Sequence, residues 1–184
     1  MRAEDQRMMS ILYAPASYTH VSHLPEMFQA SELREDTLLN FWLLRHGKLC
    51  DLPCAWQPDD TTLSLLLSRW HRLPIAAHLI GGYLLRSRLP EQGAILMSDP
   101  RLLAFISLPL LHQVTLDETN SPPDTLSCGT AFILGQFPEL PVALHQRLLL
   151  HFPAGMTVAQ LSAPKTLNHI NLLRMALTYA HHYY

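Results

Sequence analysis

The residues best suited to metal chemistry are two histidines, His20 and His23, and two cysteines, Cys50 and Cys54. Neutral imidazole and thiolate are the ligands that zinc prefers, so the two pairs could together hold one zinc ion. However, the histidines precede the cysteines, which reverses the usual finger order, and Pro53 constrains the chain between the cysteines. Eleven histidines in 184 residues also produce some close pairs by chance. We therefore predict no metal site and interpret the cysteines as ordinary buried thiols and the histidines as half-exposed imidazoles.

Patterns for catalysis are weaker still. Cys128 could act as a nucleophile beside a histidine, but it lies in the apolar run 128–134, which favours a structural thiol. The carboxylate pairs Glu35/Asp36 and Asp59/Asp60 precede predicted helices, where they complement the helix dipole. The chain has no G-x-S-x-G elbow, no P-loop and no G-x-G-x-x-G motif. The sequence therefore predicts no catalytic residue, no cofactor and no enzymatic activity.

The composition indicates a protein that binds other proteins. Hydrophobic residues make up 48% of the chain and charged residues 15%, against about 25% charged in a typical domain. Such an apolar excess is typical of a surface that partners cover. A net charge of -2 offers no basic excess for a phosphate backbone, so we expect no nucleic-acid partner. Three cysteines without a disulfide framework, and no run of about 20 apolar residues, predict a cytoplasmic protein with no membrane insertion.

Helical patterns dominate the chain. Leu63, Leu66, Leu67 and Trp70 follow the i, i+3, i+4, i+7 spacing of an amphipathic helix. Prolines stand before or at the start of apolar-periodic runs, where the first turn of a helix tolerates them; these are Pro25, Pro74, Pro90, Pro100, Pro122, Pro123, Pro138 and Pro164. Only His112–Leu116 and Thr130–Leu134 have a pattern that a strand could share. We predict an all-α fold of roughly seven to nine helices with proline-marked connections, with residues 1–10 as a short lead and residues 11–184 as a single helical domain.

The C-terminal segment, taken as a helix from Pro164, carries two apolar stripes. The first stripe consists of Leu167, Ile170, Leu173, Leu177 and Ala180, and the second of Leu172, Met175, Tyr179 and Tyr183. A surface helix needs only one such stripe. Either the helix is sandwiched in the core or the second stripe contacts a partner, and both interpretations remain open. We take the second stripe as the candidate partner-binding surface.

Two blocks of the sequence resemble a known family. Residues 13–20, YAPASYTH, followed by Leu24-Pro25, are similar to the N-terminal signature of the type III secretion sorting-platform adaptor family (SctK-like). The second block comprises GTAF at 129–132 and RLLLHFP at 147–153. We interpret the signature residues as structural, with His20 able to bond a helix end, and a direct partner contact by them is the alternative; they are Tyr13, Pro15, Tyr18, His20, Leu24 and Pro25.

The resemblance implies a non-enzymatic cytoplasmic adaptor, peripheral to the inner membrane. It would link the cytoplasmic domain of the SctD-type inner-membrane ring protein to the pods of the sorting platform, made of the SctQ-type protein with SctL-type and ATPase partners. Effector secretion would depend on it. Two alternatives remain open: a small zinc-binding module or enzyme that uses His20, His23, Cys50 and Cys54, and a different secretion accessory such as a chaperone.

Overall fold

The structure, a computed structural model, describes residues 3–29, 36–58, 60–86, 99–108, 124–158 and 166–184. Every regular element in those ranges is helical, which confirms the all-α prediction. The α-helices are α1 (Ala3–Tyr13), α2 (Glu26–Gln29), α3 (Asp36–His46), α4 (Thr61–Ser68), α5 (Leu73–Leu84), α6 (Pro100–Ile106), α7 (Thr125–Gln136), α8 (Val142–Leu149) and α9 (Leu167–Tyr183). Short 3-10 helices cover Pro15–Ser17, Val21–His23 and Trp70–Arg72.

The helices begin where local chemistry allows it. Asp60, Asp99 and Asp124 each accept hydrogen bonds of 2.6–3.2 Å from N–H groups in the first turns of α4, α6 and α7. These bonds satisfy donors that have no partner inside the helix. Pro74 and Pro100 lie in the first turns of α5 and α6, as predicted. The prolines that lie outside the described residues are Pro90, Pro109, Pro122, Pro123 and Pro164.

Three details differ from the sequence interpretation or extend it. Residues 3–10, assigned to a short lead, form most of α1. Thr130–Leu134, one of the two strand-like segments, lies inside α7, and the other, His112–Leu116, is outside the described residues. The chain also divides into two compact units, residues 1–71 with 139–156 and residues 72–138 with 157–184. The single domain over residues 11–184 therefore stays a prediction.

The first unit is assembled around α1 and α3. Helix α1 packs against α4 and α8, and α3 packs against the 3-10 helix Pro15–Ser17. Four buried apolar side chains form the core beneath α3, with Phe28 and Trp42 packed against its edge; the four are Ala16, Leu24, Leu39 and Leu43. Burial of such side chains is the main stabilising contribution at this site.

The second unit is assembled around α5, whose closest neighbour is α7. A Cβ atom added at Gly129 of α7 would lie 1.8 Å from the Ala77 carbonyl oxygen, and one added at Gly81 of α5 would lie 1.9 Å from the Thr125 carbonyl oxygen. The backbones of α5 and α7 therefore approach so closely that only glycine fits at these two positions. Glycine costs about 1 kcal/mol in a helix relative to alanine, and this close crossing is the reason it is needed here.

Candidate functional site

Tyr18, in the first of the two sequence blocks, is a buried structural residue. Its ring stacks on His151 with 4.7 Å between centroids and meets Trp70 edge-on at 5.9 Å. Its hydroxyl donates to the Ile11 carbonyl at 2.5 Å. Burial raises the pKa of Tyr18, so the phenol stays protonated. Tyr18 thus connects the end of α1 to the segment that follows α8.

His20 caps the start of the 3-10 helix Val21–His23. Its Nδ1 accepts from the Ser22 N–H at 3.2 Å, within the first turn of the 3-10 helix Val21–His23. Its own backbone N–H donates to the Leu150 carbonyl at 2.7 Å. The side chain and the main chain of His20 are therefore both used inside the first unit.

The other signature residues are placed by packing within the first unit. Pro15 is buried at the start of its 3-10 helix, and Leu24 belongs to the core beneath α3. Pro25 is half-buried directly before α2. Tyr13 is 45% exposed, and its hydroxyl lies 3.5 Å from a carboxylate oxygen of Asp51. The contacts of these residues all lie within the first unit.

Arg147, in the second block, is a fully buried cation. Its Nε and Nη2 atoms donate to the Leu12 carbonyl at 3.1 and 2.9 Å, and Nη1 donates to the carbonyls of Cys50 at 2.7 Å and Ala143 at 2.9 Å. Burial lowers the pKa of Arg147, yet a guanidinium keeps its charge at the pH values at which proteins fold. Arg147 therefore ties α8 to the end of α1 and to the chain at Cys50. Composition gave no sign of this role, because arginine is usually exposed.

His151 is a buried neutral imidazole beside Tyr18 and Trp70. It is 4% exposed, and its Nε2 has no hydrogen-bond partner. Burial lowers the pKa of His151 to about 3, and the nearby His71 adds a smaller effect of the same sign. The group thus remains uncharged in the folded protein over the whole physiological range of pH.

Stability is expected to fall as the pH drops from 6.5 to 4.5. The unfolded chain binds a proton at residue 151 below its ordinary pKa of about 6.5, and the folded chain does not, so acid favours unfolding by about 2–3 kcal/mol over that interval. Urea unfolding at both pH values would measure the difference. The variant His151→Phe keeps a flat ring but cannot titrate. The slope of its unfolding free energy against pH should therefore correspond to about one proton fewer than in the wild type. An unchanged slope in this variant would contradict the assignment.

The candidate metal and nucleophile residues do not form a site in the described part of the chain. His23 Nε2 donates to the Phe152 carbonyl at 2.8 Å. Cys50 and Cys54 are exposed free thiols, so the prediction that they are buried is wrong. The described residues contain no group of three or more His, Cys, Asp or Glu side chains placed to hold a metal ion. Cys128 is buried, and burial raises the pKa of its thiol to about 12, which suppresses the reactive thiolate near neutral pH.

A polar network in the second unit was not found from the sequence. The Thr125 hydroxyl lies 2.7 Å from Nδ1 of His78, and Nε2 of His78 lies 3.6 Å from Asp99. This order of hydroxyl, imidazole and carboxylate is the order of a hydrolase triad. However, Thr125 is only 8% exposed, and Asp99 already caps α6 and accepts from the Tyr184 hydroxyl at 2.8 Å. We interpret the network as structural, since it joins α5, α6 and α7 to the end of α9.

Helix α9 has one broad buried face instead of two separate stripes. Leu173, Leu177 and Ala180 of the first predicted stripe are fully buried, whereas Leu167 is 72% exposed. Leu172, which we assigned to the partner stripe, is 1% exposed and belongs to the core. The fully buried Ala176 lies between the two predicted stripes and connects them into one buried face.

Three residues of the second stripe remain accessible at the edge of α9. Met175 and Tyr179 are half-buried, and Tyr183 is 60% exposed. The Tyr179 ring packs edge-on against Phe105 of α6 at 5.3 Å and lies 4.5 Å from the Tyr183 ring. We call Met175, Tyr179 and Tyr183 the α9 flank.

A second accessible apolar surface lies on α3, and sequence reasoning missed it. Leu38 is 55% exposed and Phe41 is 59% exposed, and the guanidinium of Arg45 lies 5.6 Å from the centre of the Phe41 ring. We call Leu38, Phe41 and Arg45 the α3 stripe. The sequence does contain a sign of this surface, because six of the seven residues 38–44 are apolar. A helix with that pattern carries apolar side chains on more sides than a single core can cover.

Matches to known proteins cover most of this chain. Within the described ranges, no helix combines the length and the apolar character needed to cross a membrane. No solved structure gives a significant match. The chain is similar to the oxygen-regulated invasion protein OrgA of Salmonella typhimurium strains SL1344 and LT2, with 32% identity over 183 residues, covering 94% of this chain and 86% of the relative. Residues 8–182 match the model of the bacterial type III secretion apparatus protein family OrgA_MxiK. This chain therefore belongs to the OrgA/MxiK family of bacterial type III secretion apparatus proteins.

Proposed function

We propose that this protein is a non-enzymatic structural adaptor of the type III secretion injectisome. It links the cytoplasmic domain of the SctD-type inner-membrane ring protein to the SctQ-type pod protein, with the SctL-type protein beside it. The observation that carries the proposal is the family match over residues 8–182. The polar clusters described above support it, because Arg147, His20 and the His78 network are each engaged in contacts inside the chain. On this proposal the protein is cytoplasmic and reaches the inner membrane only through the injectisome.

Deletion of the protein tests the adaptor role directly. We expect secretion of effectors to be lost while the membrane-embedded rings still assemble, because an adaptor contributes binding free energy between two assemblies and no chemical step. Fluorescently labelled SctQ-type protein should lose its foci at the membrane. Secretion at the wild-type level in a clean deletion strain would contradict the proposal.

We place one partner contact at the α9 flank. Aromatic and methionine side chains are enriched at the centres of protein interfaces, and the flank offers two tyrosines and one methionine at the surface. Since Leu172 is buried, it takes no part in this contact.

Alanine substitutions on α9 should separate binding from stability. Met175→Ala and Tyr179→Ala are expected to weaken binding to the ring or pod protein by tenfold or more, while Met175→Ala changes the unfolding free energy by less than about 1 kcal/mol. Tyr179→Ala should lower the unfolding free energy by about 1 kcal/mol more than Met175→Ala does, because the contact of the Tyr179 ring with Phe105 is lost. Isothermal titration and thermal unfolding of the same samples measure both quantities.

Leu173→Ala and Leu177→Ala are the matched core controls on the same helix. Both side chains are fully buried, so each truncation opens a cavity and should cost about 2–5 kcal/mol. Full binding by both α9 flank variants would exclude the flank as the partner surface.

A further inference from the structure

The α3 stripe exposes more apolar surface than the stability of the helix requires. Leu38 and Phe41 lie three positions apart and Arg45 lies four further on, so all three occupy the same side of α3. Leu39 and Leu43, on the side that faces the core, are 0% and 3% exposed. Two large apolar side chains that are more than half exposed and adjacent on one helix offer an apolar contact surface to a partner protein.

From residue 37 to residue 50, the charged side chains of α3 and of the turn after it are all basic. Residues 37–50 contain no aspartate or glutamate, and they carry Arg45, His46 and Lys48 at and beyond the end of α3. Asp36 lies half a turn around the helix from Arg45, because nine residues at 100° each amount to two and a half turns. Asp51, the next carboxylate along the chain, faces the Tyr13 hydroxyl at 3.5 Å. The stripe is therefore apolar at its first two positions and cationic at its C-terminal end.

We propose that the α3 stripe binds an acidic amphipathic helix of a partner protein, packed antiparallel to α3. Leu38 and Phe41 contact the apolar face of that helix. Arg45, whose guanidinium already lies over the Phe41 ring, pairs with a carboxylate at the edge of the apolar contact. Antiparallel packing brings the acidic first turn of the partner helix to the basic C-terminal end of α3, where the helix dipoles also favour it. This surface lies in the first unit and is independent of the α9 flank.

Two synthetic peptides test the chemistry of the occupant. Both are about 18 residues long, with leucine at i, i+3, i+4 and i+7 positions; one carries glutamate at the other positions and its match carries lysine. Fluorescence anisotropy with the full chain should show binding of the glutamate peptide, at least tenfold tighter than the lysine peptide. Raising the salt concentration should weaken it, because the contact includes exposed charges.

Variants of the chain then assign the binding to the stripe. Phe41→Ala and Arg45→Glu should each weaken binding of the glutamate peptide at least tenfold. Phe41→Ala should leave the melting temperature nearly unchanged, since the side chain is exposed, and Arg45→Glu should lower it only slightly, because a carboxylate opposes the helix dipole in the last turn of α3. Val142→Ala, which removes a 64% exposed apolar side chain in the same unit, and Arg7→Glu, which reverses an exposed cation there, should change binding less than twofold.

Four outcomes would overturn the proposal. These are binding of both peptides with equal affinity, absence of binding, equal binding by the wild type and Phe41→Ala, and a dimer in sedimentation equilibrium that Phe41→Ala dissociates. The last result would assign the α3 stripe to a second copy of this chain.

Discussion

Gly129→Ala is expected to lower the unfolding free energy by at least about 3 kcal/mol and to leave little folded protein. The added methyl group would lie 1.8 Å from the Ala77 carbonyl oxygen, and a backbone atom inside a helix cannot rotate away as a side chain can. Helices α5 and α7 would have to separate along their whole crossing. Gly81→Ala should have a similar effect, because its methyl group meets the Thr125 carbonyl at 1.9 Å. Urea unfolding followed by circular dichroism measures both.

Two other glycines provide matched controls. At Gly82 the nearest atom is Cδ1 of Leu102, 2.5 Å away, and this flexible side chain can move, so Gly82→Ala should cost about 1 kcal/mol. At Gly155 a methyl group meets open space, and the backbone φ of +85° alone should cost about 1 kcal/mol. Helix propensity by itself predicts that alanine stabilises positions 81, 82 and 129 by about 1 kcal/mol each. A stabilised Gly129→Ala variant would therefore contradict the close crossing.

Arg147→Met should lower the unfolding free energy by about 3–5 kcal/mol. The methionine fills most of the volume but leaves the carbonyls of Leu12 and Cys50 without the donors that now satisfy them. Arg147→Lys keeps the charge, yet a single ammonium cannot reproduce the planar fork that serves three carbonyl groups, so we expect a loss of more than about 2 kcal/mol. Hydrogen exchange should show the end of α1 losing protection in both variants.

Arg7→Met is the control for the loss of a positive charge. Arg7 is exposed on α1, and its replacement should change stability by less than about 0.5 kcal/mol. If Arg147→Met were as stable as Arg7→Met, the carbonyl groups around position 147 would have to find other donors, and Arg147 would not organise the first unit.

Local features of this chain could be read from the sequence because they depend on near neighbours. Helix periodicity, the placement of Asp60 at a helix start, and the prolines in the first turns of α5 and α6 all act within about four residues. The family blocks could be read for another reason, because they are residue identities. The absence of a catalytic motif was equally a statement about residue types at fixed spacing.

Only the tertiary structure decided which side of each helix is buried and which polar groups meet. Leu38 and Leu39 are adjacent and identical in type, yet one is 55% exposed and the other fully buried, because the 3-10 helix Pro15–Ser17 covers one side of α3. Arg147 bonds to Leu12, 135 residues away. Leu172 is 1% exposed on a helix that packs against α5, which is far from it in sequence. Periodicity and capping depend on residues that are close together along the chain, whereas burial depends on elements that approach from distant parts of it. For this reason the sequence by itself determined the helices and the family, and only the tertiary structure decided which surfaces are exposed.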